Sequence, residues 1–439
     1  MGKSPPSIAV LAFEDLSPQK DQEYFCDGIA EEIINDLAKM EGIRVASRTS
    51  SFAYKGKPED IRNIGKNLDV KTVLEGSVRK ADDRLRITTQ LVDASDGCHL
   101  WSEQFDREMA DIFDIQLEIA RSITRTLKIK LSDKEKHAVK KVPTENIEAY
   151  DFYLRGRQFF YRHKRMYMQH AIEMFSRAIE QDSGYARAYA GKADCHSYSY
   201  YYFGGSNADL EQAEKNSETA LSLDPRLAEA HAARGLAVSL NEKYEEAESE
   251  FTKAIEINPN LFEAYYFYAS TCFLEGKFDK AIDLFKEAGR VNPADYQAPA
   301  YLAFIYQMTG QPDKMAPVLD DALHKIEQRL ALNPDDSRAI YLGAGVLVRM
   351  GDQYKAMDWI KRLAATERDE PHLLYGIGCL YSMTGRTEES IYYLEKAFEA
   401  GFAHRLYLER DGDFDPIRFH PGYKALIKKL KMREKDASA

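Results

Sequence analysis

Little in this chain marks a stapled, membrane-crossing or nucleotide-splitting protein. Its five cysteines, Cys26, Cys98, Cys195, Cys272 and Cys379, are odd in number, scattered, and contain no C-x-x-C pair. That pattern indicates neither a disulfide framework nor a zinc knuckle and favours a reducing compartment, so the expected location is cytoplasmic, or the cytoplasmic part of a larger chain. No stretch approaches the roughly 20 apolar residues that a bilayer-crossing helix needs. The opening Met-Gly-Lys-Ser-Pro-Pro-Ser lacks the apolar core of a signal peptide, and Pro6 stands where a myristoylation motif requires Ser or Thr. The expectation is a soluble protein with no membrane segment. Positive charge is also short: 60 Lys and Arg face 71 Asp and Glu, a net charge of -11. Phosphate binding is driven by clustered cations, so no nucleic acid is expected to be bound by these domains. The local tetrad Arg162-His163-Lys164-Arg165 reads as a solvated loop between two helices.

Catalytic motifs are missing as well. A phosphate loop needs G-x-x-x-x-G-K-[ST], and neither Gly65-Lys66 nor Gly191-Lys192 has the preceding glycine and the following hydroxyl. H-E-x-x-H, G-x-S-x-G and G-x-G-x-x-G do not occur. Gly343-Ala-Gly345 falls inside a helical repeat, where small residues permit close packing. Asp411-Gly-Asp413-Phe-Asp415 begins like a calcium loop, but Pro416 replaces the glycine at position six and Gly422 the bidentate glutamate at position twelve, so it reads as caps and turns. The ten histidines are dispersed without metal-ligand spacing. No catalytic residue, metal site or cofactor is expected, and the chain is read as a non-enzyme.

What is present is length and pattern. At 439 residues, 44% of them hydrophobic, the chain exceeds the size at which one core stops growing, so two or more folding units are expected. Residues 1–131 alternate short apolar runs with helical periods, the sign of an α/β (α+β) unit. Ile8 to Phe13 is a continuous apolar run suited to a central strand buried on both faces. Ile29, Ile33 and Leu37 share a helix face from about residue 22 to 40. A strand at Ile43 to Ser47, a helix at Asp60 to Leu68 and a strand at Val70 to Lys80 follow. Leu85, Ile87, Thr89 and Leu91 alternate with Arg86, Thr88 and Gln90, predicting a half-covered strand. Asp96-Gly97 supplies the hairpin turn into a partner strand with Trp101 and Phe105. Ile112, Ile115, Ile119, Ile123 and Leu127 mark a closing amphipathic helix, and the charged stretch Ser132 to Val142, ended by Pro143, reads as a connector within a linker at 132–148.

Phe13-Glu-Asp-Leu-Ser17, Glu23-Tyr-Phe25, Asp27-Gly28, Arg48-Thr-Ser-Ser-Phe52, Leu74-Glu-Gly-Ser77 and Leu100-Trp-Ser102 resemble a bacterial domain similar to the N-terminal part of TolB, also seen in FlgO-type proteins. The resemblance covers residues 7–131. It implies no catalytic activity of the domain itself, and a setting beside an effector, either a winged-helix DNA-binding domain or a class III adenylate cyclase domain, and before tetratricopeptide repeats.

Residues 149–402 carry such repeats by their own periodicity. Ala247, Phe251, Ala254 and Pro259 recur 34 residues later as Ala281, Phe285, Ala288 and Pro293, with Tyr244 and Phe278 in the preceding turn. Small residues let the two helices of a pair approach, aromatics wedge between pairs, and proline ends the second helix. Gly276, Gly310, Gly351 and Gly385 mark the turn after each first helix. The interval of 41 between Gly310 and Gly351 predicts an elongated second helix through His324 to Leu330. Upstream, Ala171, Phe175 and Ala178, then Ala213, Ala220 and Pro225, mark two more second helices, separated by an insertion containing Tyr198 to Gly205. The count is seven units of an all-α solenoid, with residues 403–439 as a polar cap and final helix.

These repeats resemble the tetratricopeptide (TPR) family, whose fold implies binding of a protein or peptide partner. The first helix of each unit usually builds the inner surface, which makes Tyr153, Arg157, Phe160, Tyr161, Asp194, Tyr198, Tyr266, Ser270, Phe273, Phe304, Gln307, Tyr341, Arg349 and Tyr375 the groove candidates. Half or more of the aromatics can equally serve to pack helices together. The Lys and Asn carboxylate clamp of chaperone-binding members is not reproduced. The leading expectation is a non-enzymatic scaffold or sensor/adaptor. The alternative is the regulatory half of a transcription factor or class III adenylate cyclase whose effector domain is absent from this chain. Either leaves room for a homo-oligomer.

Overall fold

The computed structural model describes residues 6–40, 42–81, 83–129, 143–366, 368–402 and 404–437. The first part is a mixed sheet covered by helices. Strands β1 (Ser7–Val10), β2 (Glu14–Asp15), β3 (Arg44–Val45), β4 (Thr72–Ala81), β5 (Arg84–Asp93) and β6 (His99–Glu108) form one sheet in the order β3-β1-β4-β5-β6, with β2 beside β4. β1 runs parallel to β3 and β4, whereas β4, β5 and β6 form an antiparallel meander. The apolar run expected as one strand is shorter: β1 ends at Val10 with all four residues buried, and the chain resumes as β2 against the same β4. Alternation in β5 follows the expected pattern, with Leu85, Ile87, Thr89 and Leu91 buried and Arg84 and Arg86 exposed. Gly97 turns the hairpin at φ +77°.

Helix α1 (Glu23–Ala38) lays Phe25, Ile29, Ile33 and Leu37, all fully buried, into this core. A short helix α2 (Arg48–Phe52) begins where Ser47 accepts a bond from the Ser50 amide at 3.2 Å. Five residues are too few for a periodic signal, and the sequence pattern did not announce it. Helices α3 (Ile61–Asn67) and α4 (Ile112–Thr126) complete the layer. The connector expected at Ser132 to Val142 lies outside the described residues.

Fourteen described helices follow in consecutive pairs. They are α5 (Ile147–Phe160) with α6 (Arg165–Gln181), α7 (Ala186–Phe203) with α8 (Asn207–Leu223), α9 (Ala228–Leu240) with α10 (Tyr244–Ile257), and α11 (Phe262–Glu275) with α12 (Phe278–Val291). The later pairs are α13 (Gln297–Met308) with α14 (Pro312–Leu332), α15 (Ser337–Met350) with α16 (Gln353–Thr366), and α17 (Pro371–Met383) with α18 (Thr387–Glu399). Ala247, Phe251, Ala254, Ala281, Phe285 and Ala288 are all buried between helices. Gly276, Gly310, Gly351 and Gly385 hold φ between +67° and +85°, a conformation that glycine adopts without steric cost. The 41-residue interval is absorbed by α14, 21 residues long against 14 in α12. Tyr198 to Phe203, read as part of an insertion, instead forms the end of α7, with Gly204 and Gly205 after it.

After α18 come α19 (Arg405–Arg410), a 3-10 turn at Gly412–Ile417 and α20 (Pro421–Ala437). Phe414, Ile417, Tyr423, Leu426 and Leu430 join Leu374, Tyr375 and Leu394 in one apolar cluster. The chain divides into two compact units. The first comprises the α/β domain, the early repeats to residue 195, and residues 212–268 and 287–294; the second comprises residues 196–211, 269–286 and 295–439.

Candidate functional site

Within the first unit, the groove candidates Tyr153, Arg157, Phe160, Tyr161, Asp194 and Tyr266 are engaged by the chain itself. Arg157 on α5 donates to the Glu31 carboxylate of α1, with its Nε at 2.8 Å, and the Tyr161 hydroxyl donates to the same oxygen at 3.0 Å. Arg48 pairs with Glu31 at 3.0 Å and lies 3.6 Å from the Tyr161 ring centroid. Arg187 pairs with Glu32, the next residue of α1. Burial works to raise the Glu31 pKa, but the charges of Arg157 and Arg48 outweigh it and hold the carboxyl below its ordinary value. For Glu32 burial wins over Arg187, and the pKa is raised. Asp194 is pushed up to about 7 by burial, against the pull of Arg157 and with the charges of Glu263 and Glu229 adding to the rise. Tyr153 packs on Phe175 and Tyr185, Phe160 on Tyr161 and His163, and Tyr266 on Phe262 and Phe267. This stretch of inner surface is therefore covered by α1 and α2 of the α/β domain or by neighbouring rings.

The second unit holds an open cavity. Helical spacing explains its walls: His372, Tyr375, Cys379 and Met383 line up on α17 and Tyr341, Gly345 and Arg349 on α15, while Phe304 comes from α13 and Ser270 and Phe273 from α11. Tyr201 closes one side, and Asp411 and Asp413 enter from the 3-10 turn; the cavity volume is about 80 Å³. Six groove candidates meet here: Ser270, Phe273, Phe304, Tyr341, Arg349 and Tyr375. Gln307 supports the wall by accepting from Arg349 Nε at 2.6 Å. Tyr198 instead packs against Tyr202.

The polar groups of the cavity are ordered by one another. Arg349 donates to both Asp413 oxygens at 2.6 and 2.7 Å and lies 5.2 Å from the Phe304 ring centroid. Asp411 accepts from the Tyr375 hydroxyl at 2.6 Å, from the Asp413 amide at 2.9 Å and from the Cys379 thiol at 3.5 Å. Burial first, then the Asp413 charge, push the Asp411 carboxyl well above the ordinary range. His372 is only 7% exposed, and its Nδ1 has no hydrogen-bond partner among the described residues. Burial, then the nearby charge of Arg338, lower its pKa well below the ordinary histidine value. The rings of Tyr201 and Tyr202 approach it at 5.6 and 5.3 Å.

Tyr201, His372, Asp411 and Asp413 were not among the residues expected at a site. The two aspartates read as turn formers, which they also are: the Asp411 side chain caps the turn through the Asp413 amide. Tyr201 reaches the cavity because Gly204, at φ +67°, brings the end of α7 against Gly401; a methyl group on Gly204 would lie 2.9 Å from the Ala400 carbonyl. His404 also meets the Tyr201 carbonyl at 3.1 Å. No local pattern announces that contact.

Paired helices with this packing are the arrangement of tetratricopeptide repeats. Tetratricopeptide-repeat profiles match residues 241–295 and 371–400. Residues 4–122 match the family described as HilA/YgeH-like transcriptional regulator, second domain. This corrects the reading of residues 7–131 as a TolB N-terminal-like, FlgO-type domain, which these matches do not support. Buried strands joined by short helices are common to many α/β domains, so dispersed motifs discriminate poorly among them. Over 236 residues, 53% of the chain, the sequence is 39% identical to "Putative adenylate cyclase 3" of Rhizobium meliloti (strain 1021). The match spans only 40% of that protein. Among solved structures, a thermophilic TPR protein of Thermus thermophilus aligns with 46% of the chain and 99% of its own at 19% identity and TM-score 0.37. A tetratricopeptide repeat protein of Parabacteroides merdae aligns with 65% and 99% at 16% identity and TM-score 0.39. No described helix is long and apolar enough to cross a membrane.

Proposed function

We propose that this chain is a non-enzymatic sensor and interaction module whose later repeats take a protein, peptide or small ligand into the aromatic cavity of the second unit. The observation that carries this reading is the combination of an open, ring-lined cavity with the buried, unpartnered His372 Nδ1, because polar atoms so placed are normally satisfied. Phe273, Phe304, Tyr341 and Tyr375 supply contact area with little side-chain entropy to lose, and Arg349 and Asp413 hold the wall in one geometry. The test is retention of a partner by the full chain and by a Tyr341→Ala, Tyr375→Ala double variant. Equal retention by both would remove the cavity from the reading.

A second reading is favoured by the match to the putative adenylate cyclase and to the HilA/YgeH-like regulator family: the chain acts as the regulatory half beside an effector domain. Joined to a class III cyclase domain, it should alter cyclic AMP output in a way that the cavity variant abolishes. Cyclic AMP formation by the chain alone would overturn the non-enzymatic part of the proposal.

A further inference from the structure

We infer that the cavity of the second unit is a receptor for a protonated amine carried on an apolar body; this rests on reading the cavity as a ligand site. The charge balance of the lining points to a cation. Arg349 is engaged by both Asp413 oxygens, and this leaves Asp411, which feels Arg349 only at longer range, as the acid with no ion pair of its own among the described residues. Asp411 is 9% exposed and accepts three bonds from the protein, whereas a carboxylate offers about four acceptor positions, so it retains capacity for a ligand N–H. An anion would add repulsion, and a neutral ligand would desolvate the acid without compensating it.

The walls fit the same ligand. The rings of Tyr201, Phe273, Phe304, Tyr341 and Tyr375 line the space, and ring faces attract a cation while burying its apolar stem. His372, unpartnered at Nδ1, provides a further acceptor for N–H in the tautomer that carries its proton on Nε2. A lysine side chain of a partner segment and a free arylalkylamine present the same chemistry.

The test is calorimetric titration of the full chain with three probes of one shape: 2-phenylethylamine, 2-phenylethanol and 3-phenylpropionate. The amine should bind about tenfold or more tighter than the alcohol, and the carboxylate more weakly than both. In Asp411→Asn the amine should fall to the affinity of the alcohol. Should that variant not fold, the wild-type series decides alone. Equal affinity for amine and alcohol in the wild type would overturn the amine assignment and leave the cavity as a ligand site; no binding of any probe up to about 10 mM would overturn both, since that lies beyond the weakest useful affinities. Two further probes separate the sources. Tighter binding of acetyl-Phe-Lys-Phe-amide than of phenylethylamine, lost when Gln replaces Lys in the probe, supports a partner segment, and binding of phenylethylamine alone supports a small amine.

Discussion

At the residue scale, the 34-residue period leaves one position out of step with its equivalents. Gly276 and Gly310 end first helices with φ +84° and +67°, and 34 residues before Gly276 stands Glu242, held at φ +59°. A side chain in that left-handed conformation costs about 1–2 kcal/mol, which glycine avoids at a somewhat smaller entropic cost. Glu242→Gly is therefore expected to stabilise the protein by about 0.5–1 kcal/mol, measured by chemical denaturation; a loss of stability would show that the side chain matters more than its backbone strain. Gly343 illustrates the opposite case. It was legible as a packing glycine, and a methyl group there would overlap the Trp359 ring. His372 was not legible, because one histidine among ten carries no sign of which will be buried without a partner.

At the element scale, α1 joins the sheet to the early repeats through charges. Glu31 is buried and Arg157 half-buried, with side-chain exposures of 5% and 17%. Arg157→Met should lower stability by about 1–3 kcal/mol, because Glu31 keeps Arg48 and the Tyr161 hydroxyl but loses its ion-pair partner on α5, and adding Glu31→Gln should recover part of that loss. A double-mutant cycle read by thermal unfolding checks it, and additive losses would deny the coupling. The last helices form a second such element. Cutting the chain after Phe402 removes Phe414, Ile417, Tyr423, Leu426 and Leu430 from the cluster that covers Leu374 and Leu394, and removes Asp411 and Asp413 from the cavity. The shortened chain is expected to bind an apolar dye more strongly, because a terminal repeat needs its cap, and to lose the amine preference. The helix pairs themselves were legible in advance, since small and aromatic positions repeat with the contacts they make.

At the scale of the whole molecule, several acids are buried at a cost to their charged form. Asp194, faced by Arg157, Glu263 and Glu229, titrates near 7, and Asp411, faced by Asp413, Arg349, Tyr341, Tyr375, Cys379 and Tyr423, is raised as well. A carboxyl with a raised folded pKa holds its proton in the native state after the unfolded chain has lost it. Its contribution is thus full below about pH 4 and is lost as pH rises towards 7, by at most about 1.4 kcal/mol per pH unit for each group. Glu31, lowered by its arginines, acts in the opposite sense and at lower pH. The thermal midpoint should accordingly be higher at about pH 5.5 than at about pH 8, and Asp194→Asn should flatten the difference. A midpoint that rises between those two conditions would contradict the burial of these acids.

The sequence by itself determined the α/β alternation, the 34-residue helix pairs and the long second helix before residue 333, because each rests on contacts between near neighbours in the chain. Only the tertiary structure decided how the inner surface is used. Arg157 and Tyr161 meet Glu31, 126 and 130 positions away, and Arg349 meets Asp413, 64 positions away. Such pairings depend on how α1 docks on α5 and how the chain folds back after α18, which no local pattern of residues records. That is why the same aromatic spacing yields a surface covered by α1 in the first unit and an open, acid-lined cavity in the second.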